Sequence, residues 1–155
     1  MRAASVVLAT LALCMLVGCG EAGPKTPAGA VEAFMAYAIT LSDPDLAAAA
    51  TGSAEAEQVA RARKDFPNLF IDEKSELFFS DFYTGFRPTS YEIVSIEEGG
   101  GTAKIGVSMT HIENVQVGVI RHQQNLAYDL YFIAKRQKSV WRLTTIQGWP
   151  PPLAR

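Results

Sequence analysis

The hydrophobic pattern of the chain changes its period near Arg87, and this change limits the possible folds more than any other feature. Before that point, apolar residues recur at the spacing of one helix face. After it, apolar and polar residues alternate, which is typical of strands with one buried side. Helices followed by antiparallel strands predict an α+β fold, in which N-terminal helices pack on one face of a curved antiparallel sheet.

Capping residues divide the first half of the chain into four predicted helices. Thr26 is a favourable N-cap before Pro27, and Asp72 can begin the last helix in the same way. We expect Gly85 to end that helix, because glycine accepts the left-handed backbone of a helix C-terminus. The helices are predicted over 27–41, 44–50, 54–64 and 73–84. Four apolar residues of the last helix are expected to face the core: Leu77, Phe78, Phe79 and Phe82.

Alternation in the second half predicts an antiparallel meander with one buried side. The glycine-rich stretch 97–101 predicts a hairpin turn, and 135–138 predicts a polar hairpin tip. The stretch 114–124 fits either a strand that continues through a bulge or a hairpin loop with a short strand. The last strand is predicted over 140–147, with Trp141, Leu143 and Thr145 on one side. Two expected strand faces consist of Ala103, Ile105, Val107, Met109 and His111, and of Leu126, Tyr128, Leu130, Phe132 and Ala134.

An apolar leader precedes the predicted domain. Arg2 is followed by a mainly apolar stretch over 3–17, a pattern typical of a signal peptide. The stretch is shorter than the roughly 20 residues that a transmembrane helix needs. The four residues Leu16-Val17-Gly18-Cys19 resemble the lipobox of bacterial lipoproteins. The resemblance implies a diacylglycerol on the Cys19 thiol and cleavage just before that residue. An ordinary cleaved signal peptide, with an incidental Cys19, is the alternative.

The leader sets the predicted domain organisation and location. We expect a lipoprotein signal peptide over 1–18, a tether over 19–26, the α+β domain over 27–149 and a C-terminal tail over 150–155. Two or three acyl chains hold a protein firmly on a membrane. The expected location is therefore the bacterial cell envelope, with the domain anchored by palmitate-type chains on the extracytoplasmic side. Gly20 is not an Asp retention signal, so an outer membrane is expected in a diderm host.

Three stretches of the predicted domain resemble small bacterial lipoproteins with a nuclear-transport-factor-two-like (SnoaL-like) domain. They are the opening helix from Thr26 to Phe34, the break around Asp43, and the final strand pair from Tyr131 to Leu143. The resemblance implies a cone-like fold in which a curved sheet wraps against helices and leaves a pocket. Its members include isomerases, dehydratases, cyclases and proteins without known activity, so the fold does not decide the function.

The enzymes of this superfamily work with acids and bases that face the cone, and the resemblance implies three candidate residues here. His111, Asp129 and Tyr131 are the candidates for proton transfer. An Asp and a His that converge in an apolar pocket have shifted pKa values and can move a proton. The alternative is that His111 is a partly exposed residue near a strand end. Asp129 likewise faces solvent if the inner side of its strand is the one with Leu126, Tyr128 and Leu130.

Other kinds of site have weaker support in the sequence. His111 and His122 lack the spacing of a metal-binding motif, so no metal and no cofactor are predicted. A net charge of −2 lacks the basic excess of a nucleic-acid-binding protein. Two cysteines do not make a disulfide framework. A basic cluster at the last hairpin fits contact with anionic headgroups or a solvated tip, and it consists of Lys135, Arg136, Lys138 and Arg142.

These observations leave three functional hypotheses. The leading one is a non-enzymatic envelope lipoprotein that binds a small apolar ligand or a protein partner. The second is a small isomerase-like or dehydratase-like enzyme that uses His111 and Asp129. The third is an accessory subunit that forms a homodimer through its exposed sheet. The shape and lining of any internal pocket would separate them, because a filled core favours protein binding.

Overall fold

A computed structural model describes residues 23–149, except for the side chains of 112–117 and 121–125. The predicted signal peptide, the lipidation site and the C-terminal tail lie outside the described residues. Four α-helices come first: α1 Pro27–Ser42, α2 Pro44–Ala47, α3 Ala54–Asp65 and α4 Glu73–Phe86. A 3₁₀ turn over Phe66–Leu69 connects α3 to α4, where the sequence analysis placed a loop.

Each α-helix begins at a side chain that accepts hydrogen bonds from backbone N–H groups of its first turn. The Thr26 hydroxyl accepts from Gly29 N at 3.0 Å, and the Asp72 carboxylate accepts from Ser75 N at 2.7 Å. The predicted caps of α1 and α4 are therefore confirmed. Asp43 and Ser53 cap α2 and α3 in the same way.

The predicted ends and faces of two helices were wrong in detail. α2 stops at Ala47 rather than residue 50. α4 continues through Gly85 to Phe86, and Arg87 takes the left-handed position with φ 50°. Leu77, which was expected in the core, is 61% exposed. Phe79 and Phe82 face the core as predicted, and Phe78 packs against it partly buried. Phe86 extends the inward stripe because it lies one helical turn after Phe82.

The sheet is an antiparallel meander in the order β1-β2-β3-β4. Its strands are β1 Pro88–Gly99, β2 Thr102–Val117, β3 Ile120–Gln137 and β4 Val140–Gln147. A parallel bridge joins Phe70 to Leu143 of β4. In its described part the protein is thus α+β, with helices followed by a four-stranded antiparallel sheet that is not closed. This confirms the coarse fold class.

Three shifts of strand register interrupt the alternation that the sequence suggested. Two lie in β1, between Pro88 and Ser90 and between Ile93 and Ser95, and the second is opposite Gly106 of β2. A Cβ at Gly106 would collide with the Ser95 hydroxyl oxygen, so glycine makes room for the bulged strand. The third lies where β3 meets β4, between Ile133 and Ala134. It explains why Ile146 is buried while Thr145, predicted to lie beside Leu143 on one face, is partly exposed.

The second and third strands run past their neighbours and form a two-stranded arm. β1 pairs with β2 only as far as His111, and β4 pairs with β3 only from Tyr131 onwards. Beyond that, β2 and β3 pair with each other to Val117 and Ile120. We call residues 112–125 the arm. The stretch 114–124, left open by the sequence, thus continues two strands around a turn that contains Gly118, with φ +62°.

The core lies between α1, α4 and one face of the sheet. That face contains the predicted β2 set up to Met109 and the β3 residues Leu130, Phe132 and Ala134, all buried. The rings of Phe34, Phe79, Phe82 and Phe132 occupy the centre and are fully inaccessible to solvent. The opposite face, with Asp129 and Tyr131, is open to solvent. The sequence pattern therefore identified the buried face of β2 correctly, and the structure shows that the Leu130 side of β3 is its inner face.

Candidate functional site

Aromatic side chains fill the space between helices and sheet where a cone pocket was expected. The Phe34 ring lies 5.0 Å from Phe79 and 5.8 Å from Phe132, measured between ring centroids. Phe66, Phe70 and Phe82 surround the same ring at 6.0 to 6.2 Å. These separations are those of packed aromatic pairs. The interior at this level is therefore a packed core.

The candidate residue His111 lies at the end of the core near α4. Its ring centroid is 4.5 Å from Phe86 and 5.5 Å from Tyr128. Trp149 covers Phe86 from another side at 5.6 Å. The Nδ1 atom of His111 is buried and has no hydrogen-bond partner in the described part of the chain. His111 is therefore held by aromatic packing on the inner side of the sheet, as its strand face predicted.

The other two candidates lie on the opposite face of the sheet. Asp129 is exposed and pairs with Ser108 across the strands. Tyr131 is 41% exposed, and the Lys104 ammonium lies 4.1 Å above its ring. Alternate residues of a strand point to opposite faces, so the sheet separates both residues from His111. The structure thus does not bring the three together, and the solvent-facing alternative for Asp129 is confirmed.

Two half-buried tyrosines that pack against the core have raised pKa values. Burial raises the pKa of Tyr91, and the negative charge of Glu32 raises it further. Burial likewise raises the pKa of Tyr37, with Asp65 adding to the effect and Arg61 opposing it. Raised pKa values keep both phenols neutral near pH 7, so they serve as packing groups with a polar tip.

Two of the grooves on the described surface lie outside the core and beside α4. The larger, of about 360 Å³, lies between the start of α4 and the β4 edge, and its lining includes Lys74, Ser75, Lys135 and Thr144. The second, of about 320 Å³, lies where α1 ends and approaches α4, and its lining includes Leu41, Tyr83 and Arg87. Neither groove includes His111, Asp129 or Tyr131.

The described side chains include no group of three or more His, Cys, Asp or Glu that could hold a metal ion. His111 is packed among aromatic rings, and the side chain of His122 is not among those described. The described helices also include none that is long and apolar enough to cross a bilayer.

The arm is the feature that sequence reasoning missed. Val119 at its turn is 97% exposed and the adjacent Ile120 is 65% exposed. Each arm strand has one edge that pairs with no other strand between residues 23 and 149. Such edges are templates for pairing with another chain. The available signal was Gly118 between two alternating stretches, which fits a tight hairpin turn.

The segment before α1 is bound to the sheet. Trp141 N donates a hydrogen bond of 2.8 Å to the Pro24 carbonyl oxygen, and Pro24 is buried. The Cα of Gly23 lies so close to Val140 that an added Cβ would be 3.2 Å from its Cγ1. Gly23 and Pro24, which the sequence assigned to the tether, are therefore part of the folded domain.

Comparison of the chain with protein-family models found no match, and comparison with curated proteins found none either. The function has to be inferred from the geometry above.

Proposed function

We propose that this protein is a membrane-anchored lipoprotein of the bacterial envelope whose domain binds a protein partner. The observation that carries the proposal is the aromatic core around Phe34, which occupies the space where a small apolar ligand would bind. The separation of His111 from Asp129 and Tyr131 by the sheet argues against the enzymatic alternative. Protein binding is the hypothesis that both observations favour.

The arm is the proposed binding element. Its unpaired edges offer backbone N–H and C=O groups, and a partner strand could continue the sheet there. Val119 and Ile120 add exposed apolar surface at the turn. A two-stranded ribbon is marginally stable by itself, so a partner that covers it gains apolar contact and backbone hydrogen bonds together.

The anchor is supported by the leader and its four-residue lipobox pattern ending at Cys19. We propose a location on the extracytoplasmic side of a membrane, which is the outer membrane in a diderm host. Growth of expressing cells with labelled palmitate tests the anchor. The label should enter the native protein and a Cys14→Ala variant, but not a Cys19→Ala variant. A Cys19→Ala protein that still carries the label would contradict the proposal.

The finer fold assignment also belongs to the proposal. We infer a nuclear-transport-factor-two-like domain from helices that precede a four-stranded meander and pack on one of its faces. An experimentally determined structure tests the assignment through the curvature of the sheet. A strongly bent sheet around α1 supports it, and a flat sheet contradicts it.

Photo-crosslinking in intact cells tests partner binding. A photoreactive amino acid is placed at Val119, and the matched control carries it at Gln58, which is exposed on α3. We expect a discrete crosslinked product from Val119 and none from Gln58. A product of twice the chain's mass would identify a second copy as the partner. Equal products from both positions, or none from Val119, would contradict a role for the arm.

A further inference from the structure

We propose that the turn between β3 and β4 contacts the membrane and seats the domain on anionic phospholipid headgroups. The inference rests on the proposed lipid anchor at Cys19. We call the contact surface the basic turn, and it consists of four exposed cationic residues that the fold brings to one end of the sheet: Lys25, Lys135, Arg136 and Lys138.

The segment that follows the proposed anchor joins the domain at the start of β4, beside the basic turn. Pro24 is hydrogen-bonded to Trp141, and Gly23 packs on Val140 at the start of β4. The Lys25 ammonium reaches the Ser139 hydroxyl at 3.4 Å, which places it beside the same turn. The chain therefore enters the domain at the basic turn.

The length of the remaining segment limits the distance to the bilayer. Cys19 precedes Gly23 by four residues, and a fully extended chain spans at most about 3.6 Å per residue. The lipid-bearing residue thus lies within roughly 14 Å of Gly23. A tether of this length keeps the Gly23 end of the sheet beside the bilayer, and the charges at that end then decide the tilt of the domain.

Charge near the basic turn favours an anionic surface, although the chain as a whole has a net charge of −2. Electrostatic interactions in water are screened over about 8–10 Å at physiological salt, so only nearby charges act on the membrane. Arg136 N donates to Gly101 O at 2.8 Å, which brings the neighbouring hairpin to this end of the sheet. That hairpin contributes Glu97 and Glu98, and Lys104 lies across from Glu97 in the strand register.

Asp72 and Lys74 line a groove with Lys135 and add one charge of each sign. With this pair and the two glutamates included, the cationic side chains named here still outnumber the acidic ones. Glu21 is the one acidic residue among positions 20–22 of the connecting segment. Each Lys or Arg held near an anionic membrane strengthens binding by about five-fold at moderate salt. The four residues of the basic turn are therefore sufficient to orient a domain that the lipid already holds at the surface.

The orientation also places the arm away from the membrane. β3 runs from Ile120 to Gln137, which corresponds to about 55 Å at the usual rise of a strand. With the basic turn at the headgroups, Val119 points away from the bilayer. The proposed partner-binding element is then accessible to a protein in the surrounding compartment.

Fluorescence quenching on the mature lipidated protein tests the orientation. One protein carries a thiol-reactive dye at Gln137→Cys beside the basic turn, and another carries it at Val119→Cys. Each is reconstituted into vesicles of phosphatidylglycerol and phosphatidylcholine that contain a headgroup quencher. We expect strong quenching at position 137 and none at position 119, with the difference reduced by high salt or by vesicles of phosphatidylcholine alone.

Charge-reversal variants test whether the charges of the basic turn, rather than the net charge of the protein, orient the domain. Lys135→Glu with Arg136→Glu should reduce quenching at position 137, although the tether keeps this position closer to the bilayer than position 119. The matched control, Arg61→Glu with Lys64→Glu on the exposed face of α3, makes the same change in net charge and should leave quenching unchanged. Equal quenching at both positions, or quenching insensitive to the reversal at the basic turn, overturns the inference while the anchor stands. Absence of palmitate at Cys19 overturns the proposed function and this inference with it.

Discussion

β2 and β3 cross two different environments, and the contrast between them shows what stabilises this sheet. Between Ala103 and Met109, β2 lies under the helices, and its inward residues are fully inaccessible. In the arm the same strands continue their pairing, yet the turn residue Val119 is almost fully exposed. Backbone pairing is thus common to both regions, whereas coverage by aromatic side chains is found in one. Burial of apolar surface rather than strand pairing should therefore dominate stability.

The largest loss in the free energy of unfolding is expected from Phe34→Ala at the centre of the core. Truncation of a buried Phe removes its transfer free energy and leaves a cavity, which together cost about 3–5 kcal/mol. Val119→Ala at the arm should change the free energy of unfolding by less than about 0.5 kcal/mol. Urea unfolding followed by circular dichroism measures both variants. Comparable losses would show that the arm is as important to stability as the core.

A medium loss in the free energy of unfolding is expected from Gly106→Ala, at the position where β1 bulges over β2. The added Cβ would collide with the Ser95 hydroxyl and lie 3.3 Å from Val94 Cγ2, so the strand must shift. Overpacking of this kind costs about 1–3 kcal/mol. Gly99→Ala is the matched control, since nothing lies within 4 Å of its added Cβ.

A double variant shows whether the Gly106 effect arises from the bulge. Combining Gly106→Ala with Ser95→Gly should recover part of the loss, because the colliding side chain is removed. A double-mutant cycle gives the coupling free energy between the two positions. Strictly additive effects would contradict the proposed role of glycine.

A smaller, pH-dependent effect is expected at the start of α4. Hydrogen bonds from the Ser75 backbone N–H and then from its hydroxyl lower the pKa of Asp72 below its usual value of 3.8. The carboxylate therefore stabilises the fold above the unfolded pKa, and the contribution is lost as pH falls through the lower folded pKa. Asp72→Asn keeps an N-cap without titrating, so its unfolding free energy should fall less between pH 5 and pH 2. Identical pH profiles in urea unfolding would disprove the assignment.

A small effect on stability is expected from removal of the arm. Replacing residues 113–124 by Asn-Gly should leave a folded domain whose midpoint of urea unfolding is close to the native one. In the native protein, amide hydrogen exchange should be faster over 112–125 than over 103–109, because each arm strand is paired on one side only among the described strands. Equal protection of the two stretches would mean that the arm and the covered sheet unfold together.

Much of the fold could be predicted because the signals are local. Thr26 and Asp72 cap helices through backbone groups three residues away, so short sequence patterns identify them. The period of apolar residues likewise identified the buried side of β2. Gly85 misled because α4 continues past it to Phe86, and Arg87 takes the left-handed position that ends the helix. An added Cβ at Gly85 would make only ordinary contact with Trp149, at 3.6 Å.

The candidate site was less predictable than the fold. Alternation placed Asp129 and Tyr128 on opposite faces of β3, but the sequence left open which face was the inner one. His111 packs on Phe86, which Trp149 covers, so the face of the sheet that carries His111 is the inner one. The rings around Phe34 fill the space where the pocket was expected. The enclosed space depends on how side chains from distant segments fit together, and composition alone does not reveal it.

The sequence by itself determined the helix starts, the strand period, the turns at glycine and the leader that predicts an anchor, because each depends on residues adjacent along the chain. The tertiary structure decided three other features: the bulge over Gly106, the filled interior and the docking of Pro24 on Trp141. Each of these arises where segments far apart in sequence come into van der Waals contact. Steric fit between such segments is a property of the packed fold, and it has no counterpart in a local pattern.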